Sequence, residues 1–180
     1  MNKKDLIIEV ATKLFSERGF DKTPISAVCE MANVSKGLVF HHFKNKNELL
    51  REIFKKTTNF VVEKNQSIPE NLSPNERLRE LIDGAFELMK ENKLFFRLYL
   101  NVMFQPTTRA FLDDLIKERA AILLTNTEAL FSAISKENSE LKAYMLISDL
   151  DGIGMNYIYS YEDYPLDLVK EQFIKRYVST

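Results

Sequence analysis

Apolar side chains return every three to four positions along almost the whole of this 180-residue chain, and only five Gly and five Pro interrupt them. That period is the period of a helix with one buried face, and breakers this scarce leave little room for the close-set turns of a β fold. No period-two alternation long enough for a strand occurs. The pattern predicts an all-α chain of about nine helices, with no internal repeat or low-complexity tract. Apolar residues make up 45% and charged residues 28%, a balance that builds a core and excludes a disordered chain. No apolar run reaches the roughly 18 residues of a membrane span, so no membrane partner is expected.

Cys29 is the single cysteine, which excludes a disulfide framework within one chain and a cysteine-based zinc cluster. Lys3, Lys4, Asp5 and Glu9 break up the N-terminus, which lacks the apolar core of a signal peptide, so a reducing cytoplasm is the expected compartment. Charge is unevenly placed. Residues 1–56 carry eleven Lys/Arg against seven Asp/Glu, a net +4, within a chain whose overall charge is −1. A basic head on an acidic body suits a polyanion at one end.

Local signals punctuate the helices. The first carries Leu6, Ile7, Val10, Ala11, Leu14 and Phe15 and closes at Gly19. Thr23-Pro24 is expected to open the second, with Thr as cap and Pro at the first helical position. Its inner face is Ile25, Val28, Cys29 and Ala32, and Asn33 ends it after about two turns. Ser35 caps a third helix running to about Phe43. Asn45-Lys46-Asn47-Glu48 and Ser73-Pro74-Asn75-Glu76 read as capping boxes that open two long helices. Further helices are expected over about 95–103, 108–134 and 139–161, with a last one after Pro165.

Two short helices joined by Ala32-Asn33-Val34-Ser35 form a helix-turn-helix pattern, whose second helix enters the DNA major groove. Val39 and Phe43, four apart, anchor that helix from one side. The other side presents Lys36, Gly37, Phe40, His41 and Leu38. Gly37 permits close backbone approach, and Lys36 can donate to guanine O6/N7 or to a phosphate. Lys46 adds charge to the open N–H groups of the next helix, a natural phosphate site.

The string Thr23-Pro24-Ile25-Ser26-Ala27-Val28-Cys29-Glu30-Met31-Ala32-Asn33-Val34-Ser35-Lys36-Gly37-Leu38-Val39-Phe40-His41-His42-Phe43-Lys44-Asn45-Lys46 resembles the N-terminal signature of TetR-family regulators. Ala11-Thr12-Lys13-Leu14-Phe15-Ser16-Glu17-Arg18-Gly19-Phe20 is similar to that family's first helix. The resemblance covers about the first 50 residues and is far more specific than a bare helix-turn-helix. It implies a three-helix DNA-binding domain over 1–46 and a larger helical ligand-binding and dimerisation domain over 47–180. It also implies phosphate contacts at Thr23, Phe40, His42 and Lys46, and base or groove contacts at Ser26, Lys36, Gly37, Leu38 and His41. Phe40 stands where the family usually has Tyr, and Ser26 where a longer residue is common.

Other chemistries find little footing. His41 and His42 point about 100° apart on a helix and cannot chelate one ion, so no metal is expected. Cys29 reads as a packed small residue. No glycine-flanked nucleophile or Walker motif occurs; no cofactor is expected and the chain is read as non-enzymatic. In the C-terminal part, Phe86, Met89, Phe96, Tyr99, Met103 and Tyr144 are first of all core, and the resemblance makes them candidates to line a cavity for a largely apolar small-molecule inducer. Asp149 is a candidate for a polar group of that ligand, with pairing to Arg or Lys, or simple exposure to solvent, as its alternatives. The 139–161 segment is apolar on two sides, so one side can meet the core and the other a second subunit through Met145, Gly152, Met155 and Tyr159. The expectation is a homodimeric, ligand-released repressor on a palindromic double-stranded operator. The rival readings are a helical protein-interaction module without DNA binding and a small helical enzyme.

Overall fold

The computed structural model describes residues 2–178, and among these it contains ten α-helices, a π-helical turn and no strand. The helices are α1 Lys3–Arg18, α2 Ile25–Ala32, α3 Lys36–His42, α4 Lys46–Gln66, α5 Pro74–Glu91, α6 Lys93–Met103, α7 Pro106–Ala110, α8 Asp113–Ile134, α9 Ser139–Met155 and α10 Leu166–Tyr177. The π-helical turn, Asn156–Ser160, directly continues α9.

Local chemistry sets most boundaries. Asn2 Oδ1 accepts the Asp5 N–H at 2.8 Å to open α1, and Gly19 closes it at φ 85°, where a Cβ would be strained. Asn33 holds the left-handed turn after α2 at φ 49°, ψ 54°. At α5 the capping box is complete: the Glu76 N–H donates to Ser73 Oγ, and the Ser73 N–H donates to Glu76 Oε2 at 2.8 Å. Nine helices were expected. The tenth arises because 106–134 is broken: α7 ends at Ala110 and α8 starts at Asp113. Arg51 holds that break, donating to the Phe111 carbonyl and to Asp114 Oδ1, both at 2.7 Å.

The chain forms two compact units. The first holds the chain up to Asn59 together with Leu94–Ile116; the second holds Phe60–Lys93 and the chain from Lys117 onward. The boundary expected at 46/47 therefore falls inside the first unit. Its core explains why: Ile7, Leu14, Phe15, Val28, Val39 and Phe43 share one cluster with Leu49, Leu50, Ile53 and Phe54 of α4 and with Phe95, Leu98 and Val102 of α6. Cutting after residue 46 would strip the head of the apolar face that closes it. In the second unit, α5 contributes Leu78, Ile82, Phe86 and Met89, α9 Ala143 and Leu146, and α10 Phe173 and Ile174, all buried. Phe86 and Phe173 meet edge to face at 5.7 Å.

Candidate nucleic-acid interface

α3 stands as a ridge. Its cap is Ser35, whose Oγ accepts the Leu38 N–H at 3.1 Å. Val39 and Phe43 are each 1% exposed and pin the helix to the head's core. Lys36, Gly37, Phe40 and His41 face solvent, and Leu38 and His42 are half-buried. Ser26 of α2 is exposed as well. The anchoring pair and the exposed face thus fall where the four-residue spacing placed them.

Lys46, the first residue of α4, is half-buried and positioned before any ligand arrives. Its ammonium lies 4.3 Å from the Phe20 ring centroid and 5.9 Å from that of Phe15, and it donates to the Asp21 carbonyl at 3.3 Å. Partial burial pulls its pKa below the ordinary lysine value, and the Asp21 carboxylate opposes that pull. Asn45 Oδ1 accepts the Glu48 N–H at 2.9 Å, so this cap is formed. The first turn of a helix carries N–H groups with no intrahelical acceptor, which together with Lys46 suits a phosphate.

Thr23 requires a correction. It neither caps α2 nor reaches outward. Pro24 occupies the cap position without a side-chain bond, and the Thr23 side chain is fully buried, donating to the Gly19 carbonyl at 2.8 Å. Its backbone N–H is also engaged, with the Phe20 carbonyl at 3.2 Å. Thr23 holds the α1–α2 corner and has no group left for a phosphate. Lys22 and Lys44, both exposed in the loops before α2 and α4, were missed as individual candidates. Only the charge count of the first 56 residues signalled them.

The residues expected to line a ligand cavity are divided between the units. Phe96, Tyr99 and Met103 belong to the first, where Tyr99 and Met103 pack on its core cluster. Phe86 and Met89 are buried in the second. Tyr144 is 51% exposed, so it is not core. Asp149 is engaged within its own unit: it accepts from the Tyr177 hydroxyl at 2.7 Å and pairs with Arg176 at 3.1 Å, one of the alternatives the sequence left open. Burial, reinforced by the Asp149 bond, pushes the Tyr177 phenol up to about 12. The second unit also has a cleft of about 500 Å3 between Lys90, Tyr157, Tyr164 and Leu166–Leu168, lined by none of the expected residues. The π-helical turn that brings Tyr157 there has no signature in a helical period.

The outer face of α9 is apolar and open. Leu141, Tyr144, Met145, Met155 and, in the following turn, Tyr159 are between 42% and 58% exposed. Gly152 is exposed too, and a Cβ built on it meets nothing within 4 Å. The residues expected to face a second subunit, Met145, Gly152, Met155 and Tyr159, are thus solvent-facing in a single protomer. No helix among the described residues is long and apolar enough to cross a membrane.

The described residues thus form an all-helical chain whose N-terminal helix-turn-helix carries a pinned, outward-facing second helix. Residues 7–53 match the family model of the bacterial regulatory proteins of the tetR family. The HTH-type transcriptional regulator YhgD of Bacillus subtilis is 33% identical over 103 residues, 55% of this chain and 52% of that one. The chain thus spans about half the length of this curated relative. The fold likeness is complete. The fatty acid degradation regulator FadR of Bacillus halodurans superposes with a TM-score of 0.84 over 99% of this chain and 96% of that one, at 19% identity. FadR of Bacillus subtilis, solved with stearoyl-CoA, gives 0.80 over 97% of both chains, also at 19% identity. The whole chain therefore has the TetR-type fold.

Proposed function

We propose that this chain is a homodimeric transcriptional repressor that grips a palindromic double-stranded operator with α3 and leaves it when a small, largely apolar molecule binds the C-terminal helices. The observation that carries this reading is the geometry of α3: Val39 and Phe43 are sunk in the core while Lys36, Gly37, Phe40 and His41 stand free. Ser26, Lys36, Gly37, Leu38 and His41 meet the groove, and His42 and Lys46 meet phosphates. Two copies pair through the α9 face that includes Met145, Gly152, Met155 and Tyr159. The protein is non-enzymatic and works where bacterial DNA is, in the cytoplasm.

The ligand acts only by binding two conformers unequally, since equal affinity would shift nothing. Phe86 and Met89, both buried in the second unit, are the proposed apolar contacts. That FadR of Bacillus subtilis was solved with stearoyl-CoA supports an inducer with an apolar chain. The test is gel retardation of fragments from the region upstream of the gene, with and without long-chain acyl compounds. Retardation relieved by ligand is expected. No retardation at any salt concentration below physiological would overturn the DNA-binding reading, and retardation that no acyl compound relieves would overturn this ligand class.

A further inference from the structure

Phe40 is an anomaly on the ridge. It is 42% exposed although the core does not need it, because Val39 and Phe43, each 1% exposed, already anchor α3. Its ring carries no hydroxyl, so it cannot donate to a phosphate, and the negative face of an aromatic ring repels phosphate oxygens. An exposed ring entering a groove needs an apolar partner. Among major-groove base edges only thymine offers one, its 5-methyl group.

Two neighbours fix how the ring would be used. The Lys36 ammonium lies 5.7 Å from the Phe40 ring centroid, within cation–π range, which holds ring and charge side by side. Base pairs stack about 3.4 Å apart along a strand, so this separation spans fewer than two steps. Gly37 lies between them in the helix. A Cβ there would meet only Ser35 Oγ, at 3.9 Å, and the backbone does not have the positive φ that would demand glycine. The fold accepts a side chain at 37, and glycine inside a helix is less stable than alanine. The missing side chain therefore serves what approaches from outside, a base edge close to the backbone.

We propose that Phe40 is a base-reading residue whose ring seats on the 5-methyl group of a thymine, one or two base pairs from a guanine held by Lys36. This rests on the reading of α3 as the groove helix. Full-length protein would first select its sites from randomised duplex DNA. Each thymine in a selected site would then be replaced by deoxyuridine, which removes only the methyl, and each guanine by 7-deazaguanine, which removes N7.

One thymine per half-site is expected to show about a three- to fivefold loss of affinity on losing its methyl. A guanine within two steps should show sensitivity to N7 loss. Phe40→Ala and Phe40→Gln should bind the thymine and deoxyuridine duplexes equally, and Lys36→Ala should lose only the N7 effect. If no thymine methyl matters to the wild type, or if it matters equally to both Phe40 variants, the proposal is overturned while DNA binding stands. If no duplex is selected even at low salt, the DNA-binding reading fails and takes this inference with it.

Discussion

At Lys46 the ammonium already rests on the Phe20 ring and the Asp21 carbonyl, so little side-chain freedom is left to lose when a phosphate arrives. Lys46→Ala should weaken binding to every DNA sequence alike and flatten the plot of log affinity against log salt by about 1.8, one phosphate contact being lost in each of the two copies. Fluorescence titrations across a salt series read this directly, and an unchanged slope would remove Lys46 from the interface. Thr23 provides the contrast. Its hydroxyl is spent inside the protein on the Gly19 carbonyl. Thr23→Val leaves that carbonyl without its side-chain donor and should lower unfolding stability by about 1–3 kcal/mol, with the salt slope intact. Urea melts paired with the same titrations separate the two roles. Nothing local marks this difference, because a threonine before a proline looks like a cap whichever way its side chain turns.

At the element scale, what could be read in advance was what neighbours in sequence decide. Asn33, Ser35 and the Ser73-to-Glu76 box act within four residues, and each lies where its spacing put it. The break between α7 and α8 was illegible. The helical period runs straight through it, and it is secured by Arg51, 63 residues before Asp114. The inward position of Thr23 and the π-helical turn after α9 are likewise set by packing, not by local spelling. The break also titrates. The Arg51 guanidinium holds the Asp114 carboxyl down at about 2, against an ordinary value of 3.8. A depressed carboxyl contributes stability that is full above its unfolded value and gone once pH falls below its folded value. Acid between pH 4 and 2 should therefore destabilise the wild type more than Asp114→Asn, which lacks the titrating group. Parallel acid-dependent melts losing stability equally in both would show that the pair contributes nothing.

At the scale of the whole molecule, the proposed function makes one protomer an incomplete device. A palindromic operator needs two ridges related by a two-fold axis, and the exposed apolar face of α9 is the surface proposed to supply it. Met145, 46% exposed, has no covering partner within the protomer's core, so Met145→Glu should leave the helical content unchanged and convert dimer to monomer in sedimentation. Operator affinity should fall with it, since each half-site would bind alone. A dimer that survives this charge would move the interface elsewhere. The helical class and the recognition ridge could be read from sequence because both are periodic and local. The share of α6 and α7 in the head's unit could not, because Phe95, Leu98 and Val102 join that core from about 80 residues away from the first helix.

In the proposed complex, two copies of α3 lie in successive major grooves on one face of a duplex. Hydroxyl-radical footprinting of the dimer on a selected operator tests it most directly. Two protected patches whose centres are about 34–36 Å apart, on the same side of the DNA, are the expected result. A single patch, or protection spread evenly along the fragment at physiological salt, would contradict it.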